Sequence, residues 1–265
     1  MKKTVKLLLV GMLVFGLLAA MAGCGGQAAD KKDDAANNAA KKLVVGTNAT
    51  FPPFEAIENN EKVGFDMDLI RAIGEVEGYE VEIKHMDFKA LIPALQTGKI
   101  DCAIAGMSIT PERLDSIDFS DPYFDAGLIV AVKSENNTIK GLADLKGKSI
   151  GAQTGTIGAN ACENVKKEDP TTTVKNFDDV GVAFMELQKG GIDAVVNDQA
   201  VTLNYMQTTK DAQVKTVGEV FQADDHYGIG VKKGNDTIKN MLNDGLKKLK
   251  ENGKYQEIHD KWIKS

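Results

Sequence analysis

Twice along this chain a short apolar strand gives way to an amphipathic helix and then to another apolar strand, a rhythm that restricts the fold to α/β with largely parallel sheets and helices on both faces. The first series runs LVVGTN (43–48), GFDMDLIRAIGEVEG (64–78), YEVEIKHM (79–86), FKALIPALQTG (88–98) and IDCAIAGMS (100–108). It restarts with KSIGAQTG (148–155), a helix over 158–167, the strand TTTVKNF (171–177), a helix over 179–189 and the strand IDAVVND (192–198). The predicted helix over 66–77 places Met67, Ile70, Ala72, Ile73 and Val76 largely on one stripe, which reads as core. Two extended runs, DPYFDAGLIVAVKSE (121–135) and DDHYGIGVKK (224–233), flank the second series. They read as strands that cross between two lobes, outbound and returning, with room for hinge closure about a ligand.

The organisation expected is therefore lobe 1 over 43–122 plus 228–265, hinge segments at 123–127 and 223–227, and lobe 2 over 128–222. The 242 residues from Cys24 onward exceed the usual single core, in keeping with two lobes. The C-terminal segments TIKNMLNDGLKKLKENG and KYQEIHDKWIKS are amphipathic, and Trp262 reads as packing.

The N-terminus belongs to another kind of segment. Lys2, Lys3 and Lys6 precede a short apolar run that ends in small residues, the pattern of a secretory signal over 1–23; a signal anchor is the alternative. Met21-Ala22-Gly23-Cys24 resembles the bacterial lipobox, with Met21 where Leu is usual. That resemblance implies acylation of Cys24 and a lipid anchor on the outer face of the cytoplasmic membrane, against an ordinary cleaved signal with a spare Cys. Residues 24–42 contain no large apolar side chain and read as a flexible tether.

Without the three leader lysines, 32 basic residues become 29 against 38 acidic ones, a charge of −9. Such a surface repels nucleic acid. Cys102 and Cys162 stand far apart with no CxxC or Cys/His spacing and read as buried free thiols, a disulfide between them being the alternative. His85, His226 and His259 are scattered, so neither metal nor cofactor is expected.

In open α/β sheets ligands sit beyond the carboxyl ends of strands, which turns attention to the strand ends. After the first strand come Asn48 and the loop FPPFE, where Phe51 can stack on a ligand stem while Phe54 packs the core. Phe88 opens a helix and can form an opposite wall. In AGMSITPERLDSIDFSDPY (105–123), the backbone N–H groups of Gly106 and Ser108 and the Ser108 hydroxyl can face the crevice. Arg113 follows in a first turn, either as a bidentate clamp for a carboxylate or as a solvated charge. In QTGTIGANA (153–161), Thr156 reads as the cap of a helix whose exposed N–H groups attract anions. Asp198 ends an apolar strand and can meet an ammonium, cap the next helix, or both.

FPPFE, VGFDMDLIRAI, MDFKALIPALQTGKID, AGMSITPERLDSIDFSDPYF, LKGKSIGAQTGT and ENGKYQEIHDKW resemble the polar amino acid substrate-binding proteins of ABC importers, the glutamine-binding-like members of extracellular solute-binding protein family 3. The likeness spans residues 43–264 and implies the two-lobed periplasmic-binding-protein type 2 fold. It also implies a free L-amino acid as ligand, a permease with ATPase subunits as partner, and a monomer. By position, Phe51 and Phe88 would sandwich the ligand. Gly106, Ser108 and Arg113 would hold its carboxylate with N–H groups near Thr156 and Ile157, and Asp198 its ammonium. Asn48, Gln153 and Asn197 fall where the family sets specificity. All three are neutral amides, and a cationic side chain closed in with them would lack a counter-charge. An uncharged polar ligand such as glutamine is therefore expected. Arginine is the alternative, should Glu55 or Asp87 approach the pocket, and an exported dehydratase of the same fold is the competing function.

Overall fold

The computed structural model describes residues 41–264; the predicted signal segment 1–23, the predicted lipidation of Cys24 and the predicted tether up to residue 40 fall outside the described residues. The first half of the chain forms β1 (Lys41–Thr47), β2 (Ala56–Glu58), β3 (Glu61–Val63), α1 (Phe65–Glu77), β4 (Tyr79–His85), α2 (Phe88–Gln96), β5 (Cys102–Ala103), α3 (Pro111–Ser116) and β6 (Ile117–Phe119). Then follow β7 (Phe124–Lys133), β8 (Ser149–Gln153), α4 (Ile157–Glu168), β9 (Thr173–Phe177), α5 (Val180–Lys189), β10 (Ala194–Asp198) and α6 (Gln199–Thr208). The chain closes with β11 (Val214–Tyr227), β12 (Gly230–Lys232), α7 (Asp236–Glu251) and α8 (Lys254–Trp262).

These elements build two α/β lobes, each around a five-stranded sheet, with orders β4-β1-β5-β12-β6 and β11-β7-β10-β8-β9. In each sheet four strands point the same way and one is reversed. The reversed strands, β12 and β7, are those the chain enters after passing from one lobe to the other. Crossing is physical at Phe124↔Tyr227, Asp125↔His226 and Ala126↔Asp225, where β7 and β11 pair between the sheets. A bulged stretch of β11 between Val217 and Asp225 lets that long strand bend into the second sheet.

The first sheet starts at Lys41, two residues before the predicted strand, because Lys41 and Lys42 extend the parallel ladder opposite Tyr79 and Glu80. On α1 the buried face is Phe65, Asp66, Met67, Leu69, Ile70, Ala72, Ile73 and Gly74, while Val76 is exposed. Four of the five residues of the predicted stripe are thus buried and Val76 alone is not. The helix packs on α7, where Ile73 meets Gly245, and on β4, where Gly74 meets Val81. Trp262 lies partly buried against the core and donates its indole N–H to Asp68 at 2.7 Å.

Cys102 on β5 and Cys162 on α4 are buried free thiols in different lobes. Burial pushes Cys162 up to about 12 and raises Cys102 as well, so neither is a thiolate near neutrality.

Candidate functional site

The carboxyl ends of β1 and β5 in one lobe and of β8 and β10 in the other turn towards a common cleft. Residues 48–51, 105–108, 153–157 and 198 border it. Ten of the eleven residues expected from the sequence line this space: Asn48, Phe51, Phe88, Gly106, Ser108, Arg113, Gln153, Thr156, Ile157 and Asp198.

At one end two amides meet across the lobes. Asn48 donates its Nδ2 to the Met86 carbonyl at 3.2 Å and accepts from the Thr50 hydroxyl at 3.1 Å. Its Oδ1 also accepts from Gln153 Nε2 at 2.6 Å, and the same Gln153 nitrogen donates to the Asp178 carbonyl at 2.9 Å. Just outside, Lys89 and Asp178 form an exposed ion pair at 2.7 Å that also joins the lobes.

Phe51 is buried and stacks on Phe54, which sits fully in the core. Phe88, at the start of α2, receives the Arg113 guanidinium 5.3 Å above its ring.

Arg113 is 8% exposed, so it is no solvated surface charge. Thr110 caps the short helix α3 by accepting the Arg113 backbone N–H at 3.2 Å, which brings that side chain to the cleft. Nη1 donates to the Ser108 carbonyl at 2.7 Å and Nη2 reaches across the cleft to the Gly155 carbonyl at 3.0 Å. Burial pulls the guanidinium pKa down, while Asp225 and Asp198 push it back up. The Ser108 hydroxyl donates to Asp225 at 2.8 Å and keeps its lone pairs for a donor. Opposite, Thr156 accepts the Ala159 N–H at 3.2 Å as the cap of α4. The first-turn N–H groups of Ile157 and Gly158 have no intrahelical carbonyl to bond, and Thr156 and Ile157 border the cleft.

Asp198 is buried, and its carboxylate accepts a short hydrogen bond from the Tyr227 hydroxyl. It makes no side-chain cap to α6, so the capping role read from the sequence is not taken. Burial pushes its pKa up to about 7, against the lowering influence of Tyr227 and Arg113.

Two expectations are corrected. The Gly106 N–H does not face the cleft as a carboxylate donor: it donates to Asp66 Oδ2 at 2.9 Å, and Gly106 borders the cleft with other backbone atoms. Asn197 does not line the cleft; its amide contacts the Asp198 carbonyl and Thr202, each at 3.4 Å. Successive side chains of a strand point to opposite faces, so with Asp198 in the cleft its neighbour must turn away. Glu55 does line the cleft, whereas Asp87 does not. Sequence reasoning missed Asp66, Asp225 and Tyr227, which support the lining residues from behind; the VGFDMDL and DDHY segments held them, with no signal beyond polarity inside an otherwise apolar context.

Fold and site together define a two-lobed α/β binding protein with a cleft between its lobes. The model of the bacterial extracellular solute-binding proteins, family 3, matches residues 43–265, and the chain belongs to that family. It is 37% identical to "ABC transporter arginine-binding protein 1" of Escherichia coli (strain K12), over 85% of this chain and 92% of that protein. It is 36% identical to "ABC transporter glutamine-binding protein GlnH" of Bacillus subtilis (strain 168), over 100% of this chain and 98% of that one. Among solved structures, "an ancestral arginine-binding protein bound to arginine" is 48% identical with a TM-score of 0.81, covering 84% of this chain and 98% of that chain.

Proposed function

We propose that this protein captures an L-α-amino acid with an uncharged polar side chain, of which glutamine is the type, and delivers it to the permease of an ABC importer. The observation that carries the reading is the pairing of Arg113 and Asp198: opposite charges, one from each lobe, buried at the border of the same cleft. A zwitterion satisfies both at once. Its carboxylate takes the guanidinium fork, helped by the N–H groups beside Thr156 and Ile157, and its ammonium takes Asp198. Ser108, expected from the sequence to hold the carboxylate, has its O–H on Asp225 and in this reading offers the ammonium a lone pair instead. Phe51 and Phe88 clasp the stem. The side chain then parts the Asn48–Gln153 amide pair and takes over its hydrogen bonds.

Ligand entry must break the cross-lobe bonds Arg113–Gly155 and Asn48–Gln153, and ligand bonds replace them. Differential affinity for the closed arrangement is what such a receptor needs to signal occupancy to a permease. Glu55 faces Asp66 and Asp198, at the ammonium end, and so offers no counter-charge to a cationic side chain among the amides. Arginine is the second reading, because Asp178, whose backbone carbonyl accepts from Gln153, carries a carboxylate held by Lys89 that could turn to a guanidinium. A receptor role is favoured over a dehydratase because the side chains that meet at the amide end, Asn48 and Gln153, are neutral amides, and the Asp178 carboxylate is tied to Lys89. In this account Cys24 carries the lipid that keeps the receptor at the membrane as a monomer.

Calorimetric titration with the twenty amino acids tests the reading. Glutamine or arginine is expected to bind, and silence from all twenty would sink it. Affinity is also expected to rise with pH through about 7, because the ammonium needs the Asp198 carboxylate and binding expels its proton. Between pH 7 and pH 6 the loss is about fivefold, approaching tenfold per unit at lower pH, for one proton.

A further inference from the structure

Behind the ammonium end lie two carboxyl groups that face each other. Glu55 is fully buried, and neither of its side-chain oxygens has a hydrogen-bond donor among the described residues. Asp66, on the first turn of α1, is equally buried. Its Oδ2 accepts the Gly106 N–H and the Tyr123 hydroxyl, each at 2.9 Å, and its Oδ1 has no donor. The two side chains are close enough to act on one another, yet two carboxylates are both acceptors. The contact is a bond only if one of them holds a proton, and Asp66, already accepting twice, is the better acceptor.

Among the described residues, the groups that face the pair carry no positive charge. Asp198 from β10 adds a third acid facing Glu55. Tyr123 and, more distantly, Tyr255 of α8 face Asp66 with neutral hydroxyls. Asp198 itself is faced by Tyr227, Asp225 and Arg113, the one cation in this group.

We propose that Glu55 is a positioning residue that stays protonated at neutral pH and donates that proton to Asp66, and that this bond sets the ammonium end of the cleft. The inference rests on the amino acid reading above. The link is the peptide between Ala105 and Gly106. A trans peptide points its carbonyl opposite its N–H, so anchoring the Gly106 N–H on Asp66 turns the Ala105 carbonyl away from that acid. Both residues border the cleft. Once Glu55 loses its proton, two buried anions meet, Asp66 is pushed off Gly106 and Tyr123, and the peptide that shapes the site is released.

The sign of the pH dependence follows from burial, which raises Glu55 well above its ordinary value and Asp66 to about 7. A carboxyl raised on folding contributes stability that is present below its unfolded value, near 4.3, and is lost as pH climbs through the folded value. Glutamine at the same place donates an amide N–H without needing a proton.

The test compares the purified protein with Glu55→Gln and Glu55→Ala between pH 5 and 9, by melting temperature and by calorimetry with glutamine and arginine. Wild type is expected to lose roughly 3 °C per pH unit relative to Glu55→Gln from pH 5 up to the folded value, and to run parallel to it above that value. Its affinity is expected to fall by up to about tenfold per unit above the folded value, while between pH 7 and 9 Glu55→Gln stays within about threefold of its own value at pH 7. Glu55→Ala binds weakly throughout, because Asp66 loses its third donor. Superimposable pH profiles for wild type and Glu55→Gln would overturn the proposal, as would a glutamine variant no better than the alanine one. Asp198 is common to all three proteins and drops out of the comparison. If no protein binds either amino acid, the import reading fails, and the melting curves, which need no ligand, still decide whether Glu55 and Asp66 share a proton.

Discussion

Replacing Arg113 with alanine is expected to weaken amino acid capture by roughly 30- to several-thousand-fold, the cost of truncating one partner of a buried, hydrogen-bonded charge pair. The ligand carboxylate would then be enclosed against Phe88 with only the N–H groups beside Thr156 and Ile157 for support. Folding is expected to survive, because the guanidinium touches the Ser108 and Gly155 carbonyls and an aromatic face and anchors no part of the apolar core. Lysine at the same position is expected to recover only part of the loss, since a point charge cannot present two parallel N–H donors. Calorimetry on Arg113→Ala and Arg113→Lys, with circular dichroism to verify the fold, is the check. An alanine variant within tenfold of wild type would remove Arg113 from the recognition scheme.

Gly64→Ala is expected to be the most damaging single substitution in the scaffold of the cleft. Gly64 precedes α1 at φ +127°, a conformation that side chains rarely adopt, and a Cβ there would stand 2.2 Å from the Phe54 carbonyl oxygen. Both colliding groups are backbone, so no rotamer change relieves the overlap. The close approach exists because Phe65 and Asp66 donate their N–H groups to Pro53 and Phe54, each at 2.9 Å, and so tie the FPPFE loop onto the helix. That tie carries Phe51 to the cleft and Glu55 to Asp66. The strain and the forced displacement together are expected to cost roughly 3–5 kcal/mol, a fall in melting temperature of roughly 6–20 °C. Gly98, at φ +71° with open space where its Cβ would go, is the control, and its alanine variant is expected to lose about 1 kcal/mol. Equal losses for the two variants would show that the close approach at Gly64 does not matter.

The parts of this molecule that were legible in the sequence are those governed by local pattern. The apolar runs around Val44, Val45, Val195 and Val196 announce parallel strands, and strand ends direct attention to Asn48 and Asp198, whereas Gln153 comes only through the family resemblance. Arg113 was legible as a candidate but not as buried, because burial depends on Gly155, 42 residues further on, closing over it. The acids behind the cleft were hidden for the same reason. Asp66 reads as an ordinary acid in a helix first turn, favourable to the helix dipole, and only the docking of a loop and of Tyr123, 57 residues away, makes it a hub. Ser108 and Asp225 are separated by 117 residues and meet only because the chain leaves one lobe and returns. Asn197 was misplaced by positional likeness where the two-residue period of a strand already argued that it and Asp198 face opposite ways.

The central claim is that one guanidinium and one carboxylate, from different lobes, grip the opposite charges of a single small molecule. A crystal structure grown with saturating glutamine or arginine tests it most directly. The expected result has the Arg113 Nη atoms within about 3 Å of the ligand carboxylate, Asp198 within about 3 Å of its ammonium, and the Asn48 and Gln153 amides parted by its side chain. A ligand seated with Arg113 still on the Ser108 and Gly155 carbonyls and Asp198 still engaged only by Tyr227 would contradict the account.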